Sequence, residues 1–281
     1  MLQTSTDKQL LRLGSINFIN CLPVNYKSAD LFEDGFELIE SSPSDLNRML
    51  RVAELDLAPI SSYEYLLNKP LYTKVDGISI STKEQAQSVI LFIKDGIETL
   101  TQAREIFVTA KSASSVNLLK IVLVKNYGFK HQAGHIFNPA GKQVEFICFS
   151  ENNDQMPIKL LIGDEALLDC HALGARNDVN MVDLGTEWYQ LTALPMVFGL
   201  WVINKNSGLQ QDTISKILIA KKNKSLTVDY PDMIIEAYRQ TGLSKQVLQR
   251  YFAVLDYDFE QRHQSSLDLF ESYLGELNLL C

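Results

Sequence analysis

Long apolar runs are missing from this chain. No stretch among its 281 residues reaches the roughly eighteen consecutive apolar positions that a membrane-spanning helix needs, so no membrane partner is expected. The opening MLQTSTDKQLLRLG also lacks an apolar core between a basic start and a small-residue cleavage site. A secretory leader is therefore not expected, and a cytoplasmic location is. Cysteine is scarce: Cys21, Cys148, Cys170 and Cys281 form no CxxC and share no ligand-like spacing with the four histidines. That pattern points to a reduced protein without a disulfide framework or a metal site. Basic clusters are absent too. With 26 Lys and Arg against 34 Asp and Glu, the net charge is −8, which argues against a nucleic-acid partner. An anionic small ligand would have to be held against that field by local donors such as hydroxyls and helix N-termini.

What the chain does have is a repeated switch from strand to helix. Leu11 to Tyr26 reads LRLGSINFINCLPVNY, in which Leu11, Leu13 and Ile16 make a short buried strand and Gly14 permits close backbone approach. A polar turn, Asn17 to Cys21, interrupts the run before Leu22-Pro23 restarts it, and proline suits the first turn of a helix. Ligands of open α/β sheets sit where strands lead into helices, which makes Asn20 a first candidate for small-molecule contact. Phe36–Glu40 alternates as a strand, and Ser42, Pro43 and Asp45 form a helix start with its capping box. Leu55–Ile60 then runs into Ser61-Ser62, which opens another helix. Three such switches within the first 66 residues predict a doubly wound parallel sheet.

The next stretch, Leu71–Ile80, is less regular, whereas Ser88–Lys94 is a continuous apolar strand. Glu105–Thr109 reads as a strand, Ala110–Ser115 as a loop, and Val116–Tyr127 as an apolar helix closed by Gly128. Phe129–Lys142 reads as loop, followed by strands at Val144–Phe149, Lys159–Gly163 and Met181–Gly185. Met196–Ile203 is a second long apolar strand. From Gln210 the chain is helical, with apolar stripes that include Ile214 and Leu218, then Ile234, Ile235 and Tyr238, then Leu248 and Phe252, then Leu267 and Phe270. The two long apolar strands bracket about a hundred residues, an ordinary domain size. This predicts an α/β fold of two lobes with two crossover strands and a helical C-terminal segment. One lobe takes 1–92 and 200–281, the inserted lobe takes 93–199, and the ligand cleft lies between them.

The polar residues at the switches carry two readings each. Ser114 and Ser115 at one helix start, and Ser61 and Ser62 at another, could bind a carboxylate with hydroxyls, free N–H groups and the helix dipole. Such serines are also ordinary caps. Asp164, at a strand end, is a candidate general base, although Gly-Asp-Glu more often starts a helix. Cys21 has no histidine beside it in sequence and reads as a small buried thiol. Trp188, Tyr189 and Trp201 read as core or cleft lining.

INFINCLP, SPSDLNRML, ELDLAPISSYEY, the strand at Ser88, KSASSV, LIGDEAL and DLGTEWYQLTALPMVFGLW occur here in one order and spacing. Together they resemble the chorismate dehydratases of the futalosine route to menaquinone, over nearly the whole chain from Leu11. The resemblance implies a two-lobe, periplasmic-binding-protein-like (type II) fold. It further implies a cytoplasmic hydro-lyase whose small-molecule substrate is chorismate, with no cofactor. Asn20 and Ser88 carry over as the residues nearest the reacting ring, and the substrate's own enolpyruvyl carboxylate, or else Asp164, would be the base. A sister naphthoate synthase of the same fold relies on a histidine, and none of the four here lies in a matched motif. A non-catalytic carboxylate-binding protein of this fold is the other alternative. Two departures stand out: the family's usual T-G-L-P-F-V-F-A reads Thr192-Ala-Leu-Pro-Met-Val-Phe-Gly199, and Lys111 precedes the Ser-Ala-Ser-Ser run.

Overall fold

A computed structural model describes residues 10–27, 31, 35–151, 155–174 and 178–280. The N-terminal residues examined for a leader, up to position 9, and Cys281 lie outside this set. The chain begins with β1 (Leu11–Ile16), a 3-10 turn at Ile19–Cys21 and the short α1 (Leu22–Asn25). Next, β2 (Phe36–Ser41) leads into α2 (Pro43–Arg51), and β3 (Leu57–Ser61) into α3 (Ser62–Leu67). After β4 (Tyr72–Thr82) come β5 (Val89–Lys94), α4 (Ile97–Thr101), β6 (Glu105–Thr109) and α5 (Ala113–Asn126). The hairpin β7 (Lys130–Gln132) and β8 (His135–Phe137) precedes β9 (Gln143–Phe149). β10 (Ile158–Ile162), α6 (Gly163–Leu173), β11 (Val179–Asp183) and α7 (Leu184–Thr192) follow. The chain ends with β12 (Met196–Asn204), α8 (Gln211–Ser225), α9 (Tyr230–Thr241), α10 (Lys245–Val254), β13 (Leu255–Asp256) and α11 (Gln261–Glu276). Among the described residues no helix is long and apolar enough to cross a membrane.

The strands form two sheets, ordered β13-β4-β12-β3-β1-β2 and β11-β5-β10-β6-β9-β8-β7. The chain passes between them twice, just before β5 and just before β12. Both sheets are mixed rather than all parallel, which corrects the doubly wound expectation. β1 pairs in parallel with β2 and β3, and β6 with β9 and β10, as the repeated strand-to-helix switches require. The strand after each passage starts at the seam and runs back from it, so β5 and β12 are antiparallel to both of their neighbours.

Two elements differ from the reading of the sequence. Leu71–Ile80 lies mostly within an eleven-residue strand, β4. Its alternation is broken by Lys74, Asp76 and Gly77 (φ +75°), and its register with β12 slips twice. The hairpin β7–β8 lies in the presumed loop Phe129–Lys142. Its turn, Ala133-Gly134, has positive φ at both positions, 51° and 81°, the geometry for which Asn-Gly is the usual signal. α2 starts as read: Ser42 accepts the Asp45 N–H at 3.2 Å and donates to its carboxylate at 2.6 Å. α5 starts three residues before the expected Val116, because Ser112 accepts the Ser115 N–H and caps the helix within the presumed loop Ala110–Ser115. Gly242 ends α9 in the left-handed conformation, but Tyr238, assigned to its apolar stripe, is exposed, and Met233 and Ala237 join Ile234 in the core.

The core fills both faces of the first sheet. Leu13 packs with Ile214 and Leu218 of α8, while Ile16 joins the cluster containing Leu46 and Ile60. α11 spans both sheets. Its Glu271 pairs with Lys69 at 2.6 Å and its Gln264 accepts from Lys74 at 2.7 Å, on the first-sheet side. Against α7, which follows the second sheet's β11, Ser266 accepts the Trp188 indole N–H at 3.0 Å, and Phe270 meets that ring edge-on with centroids 5.9 Å apart. Trp188 and Trp201 are therefore core, not cleft lining.

Gly14 shows why β1 can sit so close to β3. A Cβ there would lie 2.7 Å from Ala58 Cβ and 2.9 Å from Leu55 Cδ1. Gly14→Ala is expected to lower unfolding free energy by about 1–3 kcal/mol through overpacking, read as a lower urea midpoint at unchanged slope.

Candidate functional site

Between the sheets lies a cleft, with about 640 Å³ of empty space when its open mouth is included. Its wall is made where strands end. Phe18, Asn20 and Cys21 follow β1, Pro43 follows β2, Ser61 and Thr82 finish β3 and β4, Ser112 and Ser115 follow β6, and Gly163 follows β10. Ser88, at the passage into β5, and Gly199 of β12 complete it. None of these lining residues is charged. Four helices, α2, α3, α5 and α6, place their first turns here, so their unpaired N–H groups and positive dipole ends converge on the cavity.

The side chains on this wall are set as donors. Ser61 Oγ accepts from Asn47 Nδ2 and from the Glu64 N–H, each at 3.1 Å. Ser115 Oγ accepts from the Ser112 hydroxyl at 3.0 Å. Ser88 Oγ accepts from the Tyr251 hydroxyl at 2.9 Å, and its own nearest chain acceptor, the Ala86 carbonyl, is a distant 3.4 Å away. Asn20 Oδ1 accepts the Cys21 thiol at 3.3 Å. A hydroxyl has one proton to donate, and a primary amide two. Ser61 has both lone pairs engaged, and Ser115, Ser88 and Asn20 one each, which leaves hydrogen as the main thing these groups offer the cavity. Burial, opposed by the bond to Ser88, pushes the Tyr251 phenol well up, so it stays protonated and donating. Burial also pushes the Cys21 thiol up, with the Asp164 charge adding to it. Cys21 is a structural donor, not a nucleophile.

The paired serines separate. Only one of each pair lines the cavity: Ser114 and Ser115 stand a helical step of about 100° apart, and Ser61 is the extended last residue of β3 while Ser62 begins α3. Ser61 and Ser115 do. Ser62 and Ser114 meet each other instead, Oγ to Oγ at 2.9 Å, and Ser114 Oγ also accepts the Tyr63 N–H at 2.9 Å. They join the start of α3 to the start of α5 across the seam. Asp164, in the first turn of α6, does not line the cavity; its carboxylate accepts the Ile19 N–H.

Sequence reasoning missed Thr82, whose buried Oγ1 has no hydrogen-bond partner among the described residues, because it ends the strand with the irregular pattern. It also missed Asn47, Tyr251 and Ser112, which aim the cavity's donors from elsewhere in the chain. Of the family departures, Lys111 pairs with Glu165 at 3.6 Å and, with Glu40, lines an adjoining pocket that shares Ile16, Phe18 and Pro43 with the cavity. Ala193 takes the left-handed conformation (φ 55°) where the family reads glycine, and Gly199 leaves a gap in which a Cβ would stand 3.1 Å from the Ile60 carbonyl.

Burial holds the Asp164 carboxyl up at about 6 from an ordinary 3.8, against the downward pull of the Ile19 N–H. Between those values the folded protein binds a proton here that the unfolded chain does not. This group's contribution to stability therefore rises as pH falls through 6. Urea unfolding at pH 8 and pH 5 is expected to show wild type gaining about 1 kcal/mol more than Asp164→Asn on acidification.

The chain is 28% identical over 276 residues to the chorismate dehydratase of Thermus thermophilus, with 94% of each chain covered. In three dimensions it is similar to a protein of Archaeoglobus fulgidus (TM-score 0.71, 16% identity, 96% and 98% of the two chains). It is also similar to the alkanesulfonate-binding protein SsuA of Xanthomonas axonopodis pv. citri bound to MOPS (TM-score 0.66, 13% identity, 96% and 94%). These likenesses make the fold periplasmic-binding-protein-like. A family model described as menaquinone biosynthesis matches residues 11–276, and the chain belongs to that family.

Proposed function

We propose that this protein is a chorismate dehydratase of menaquinone biosynthesis, a hydro-lyase that converts chorismate into 3-[(1-carboxyvinyl)oxy]benzoate. The observation that carries the reading is an uncharged cavity whose serines and asparagine present donors beside four helix N-termini. Chorismate brings two carboxylates and a ring hydroxyl, all acceptors. Convergent N–H and O–H groups bind such a dianion with no lysine or arginine among the described residues of the cavity wall.

The reaction removes a proton from the ring carbon bearing the ether and hydroxide from the neighbouring carbon. The electron pair left by the proton becomes part of the aromatic ring as the C–O bond breaks. The ring carboxylate acidifies that proton through the double bond, and aromatisation makes the step strongly downhill. What remains for the protein is pose and proton traffic. Ser61 and Ser115, with their helix starts, hold the carboxylates, Asn20 donates to the departing hydroxyl, and Ser88 sits beside the ring. Among the described residues neither a carboxylate nor a histidine lines the cavity. The enolpyruvyl carboxylate therefore takes the proton and returns it to the leaving hydroxide, forming water. The absence of a histidine from the wall also disfavours the sister naphthoate-synthase reading.

Purified protein incubated with chorismate, without metal or nucleotide, is expected to form the enolpyruvyl benzoate, followed by chromatography and absorbance. Asn20→Ala and Ser88→Ala are each expected to lower kcat by about 100-fold, the usual cost of a transition-state donor. A chorismate-dependent rise in melting temperature without turnover would make the protein a binder instead. No response at all would overturn both readings.

A further inference from the structure

The turn that carries Asn20 belongs to the first sheet, yet two of its fastenings come from the second. Gly163, the first residue of α6, takes φ +60°, and a Cβ there would stand 2.9 Å from the Phe18 ring, so that ring lies directly on the helix start. One residue on, the two carboxylate oxygens of Asp164 lie 3.1 and 3.4 Å from the Ile19 N–H. The turn is closed on itself by the Cys21 N–H on the Phe18 carbonyl at 3.0 Å. Residues 18, 19 and 21 are thus held, and Asn20 between them lines the cavity.

We propose that Asp164 is a positioning residue: its carboxylate clamps the Ile19 N–H across the seam and so holds Asn20 in its working orientation. The clamp rests on the reading of Asn20 as a substrate-facing group. A first-turn N–H needs an acceptor from outside its helix, and here that acceptor lies 145 positions away in the chain. The bond exists only while the two sheets are apposed. Closure of the cleft and orientation of its amide are therefore one event. The same geometry argues against Asp164 as general base, because its oxygens are directed to a backbone N–H and the residue is not on the cavity wall.

The amide in Asp164→Asn keeps an oxygen for Ile19, whereas Asp164→Ala removes the acceptor. Turnover of chorismate is expected to fall less than about tenfold in the asparagine variant and about 100-fold in the alanine variant, the range for losing a hydrogen bond to a charged partner. Asn20→Ala/Asp164→Ala is expected to be no slower than Asn20→Ala alone, since the clamp acts through Asn20. Equal, severe losses in both Asp164 variants would make the carboxylate a base and overturn the proposal, as would an alanine variant with full activity. Amide hydrogen exchange of Ile19 without substrate reads the clamp separately. Faster exchange in Asp164→Ala, largely reversed in Asp164→Asn, supports it even if chorismate proves to be the wrong substrate. Unchanged exchange overturns it.

Discussion

Because β1, β2 and β3 run parallel in one sheet and β6 and β10 run parallel in the other, all five end at the same seam. Each is followed by a helix or helical turn, so the seam collects helix starts rather than helix ends. Much of the rest follows from that direction. Backbone N–H groups, positive dipole ends and N-cap hydroxyls accumulate at one place, and negative groups at the first turns are drawn into capping them. A cavity rich in hydrogen-bond donors thus arises in a protein of net charge −8, with no cation among the described residues that line it.

Donors of this kind differ from a lysine in what they demand. An ammonium would have to be desolvated, and in the absence of ligand it would draw a counter-charge from the protein. A serine hydroxyl that already accepts from Asn47 and Glu64, or from Tyr251, is neutral with or without ligand. It is also fixed in direction. The residues that fix it are buried: Tyr251 is wholly inaccessible and Asn47 nearly so. The recognition chemistry is therefore carried by the core, with only the last hydroxyl exposed to the cavity.

Local pattern gave most of the strand-to-helix switches because capping is local: Ser42, Pro43 and Asp45 announce α2 within four positions. The same locality explains why Ser61 could be singled out while its orientation could not. Asn47 lies on another helix, and Tyr251 reaches Ser88 from 163 positions away. Neither relation leaves a mark in spacing. Ser62 and Ser114 looked equivalent to their neighbours in sequence, and only the turn of the backbone at each helix start distinguishes them. β4 was illegible because its Lys74, Asp76 and Gly77 break the alternation that marks a half-buried strand. The family resemblance supplied Ser88, which no residue pattern by itself singled out.

The Trp188 indole, held by Ser266 and edge-on to Phe270, has a mechanical consequence. α11 is anchored to the first sheet's β4 and the turn before it through Gln264 and Glu271, so a hinge opening that carried it along would drag those partners off the tryptophan. Extracting a buried indole from its hydrogen bond and its aromatic neighbour adds to the work of every swing. The two sheets are thus tied at a joint whose residues line no part of the cavity. Were the cleft to open on a hinge, those residues would act as the spring of the door, setting how often it opened rather than what it admitted.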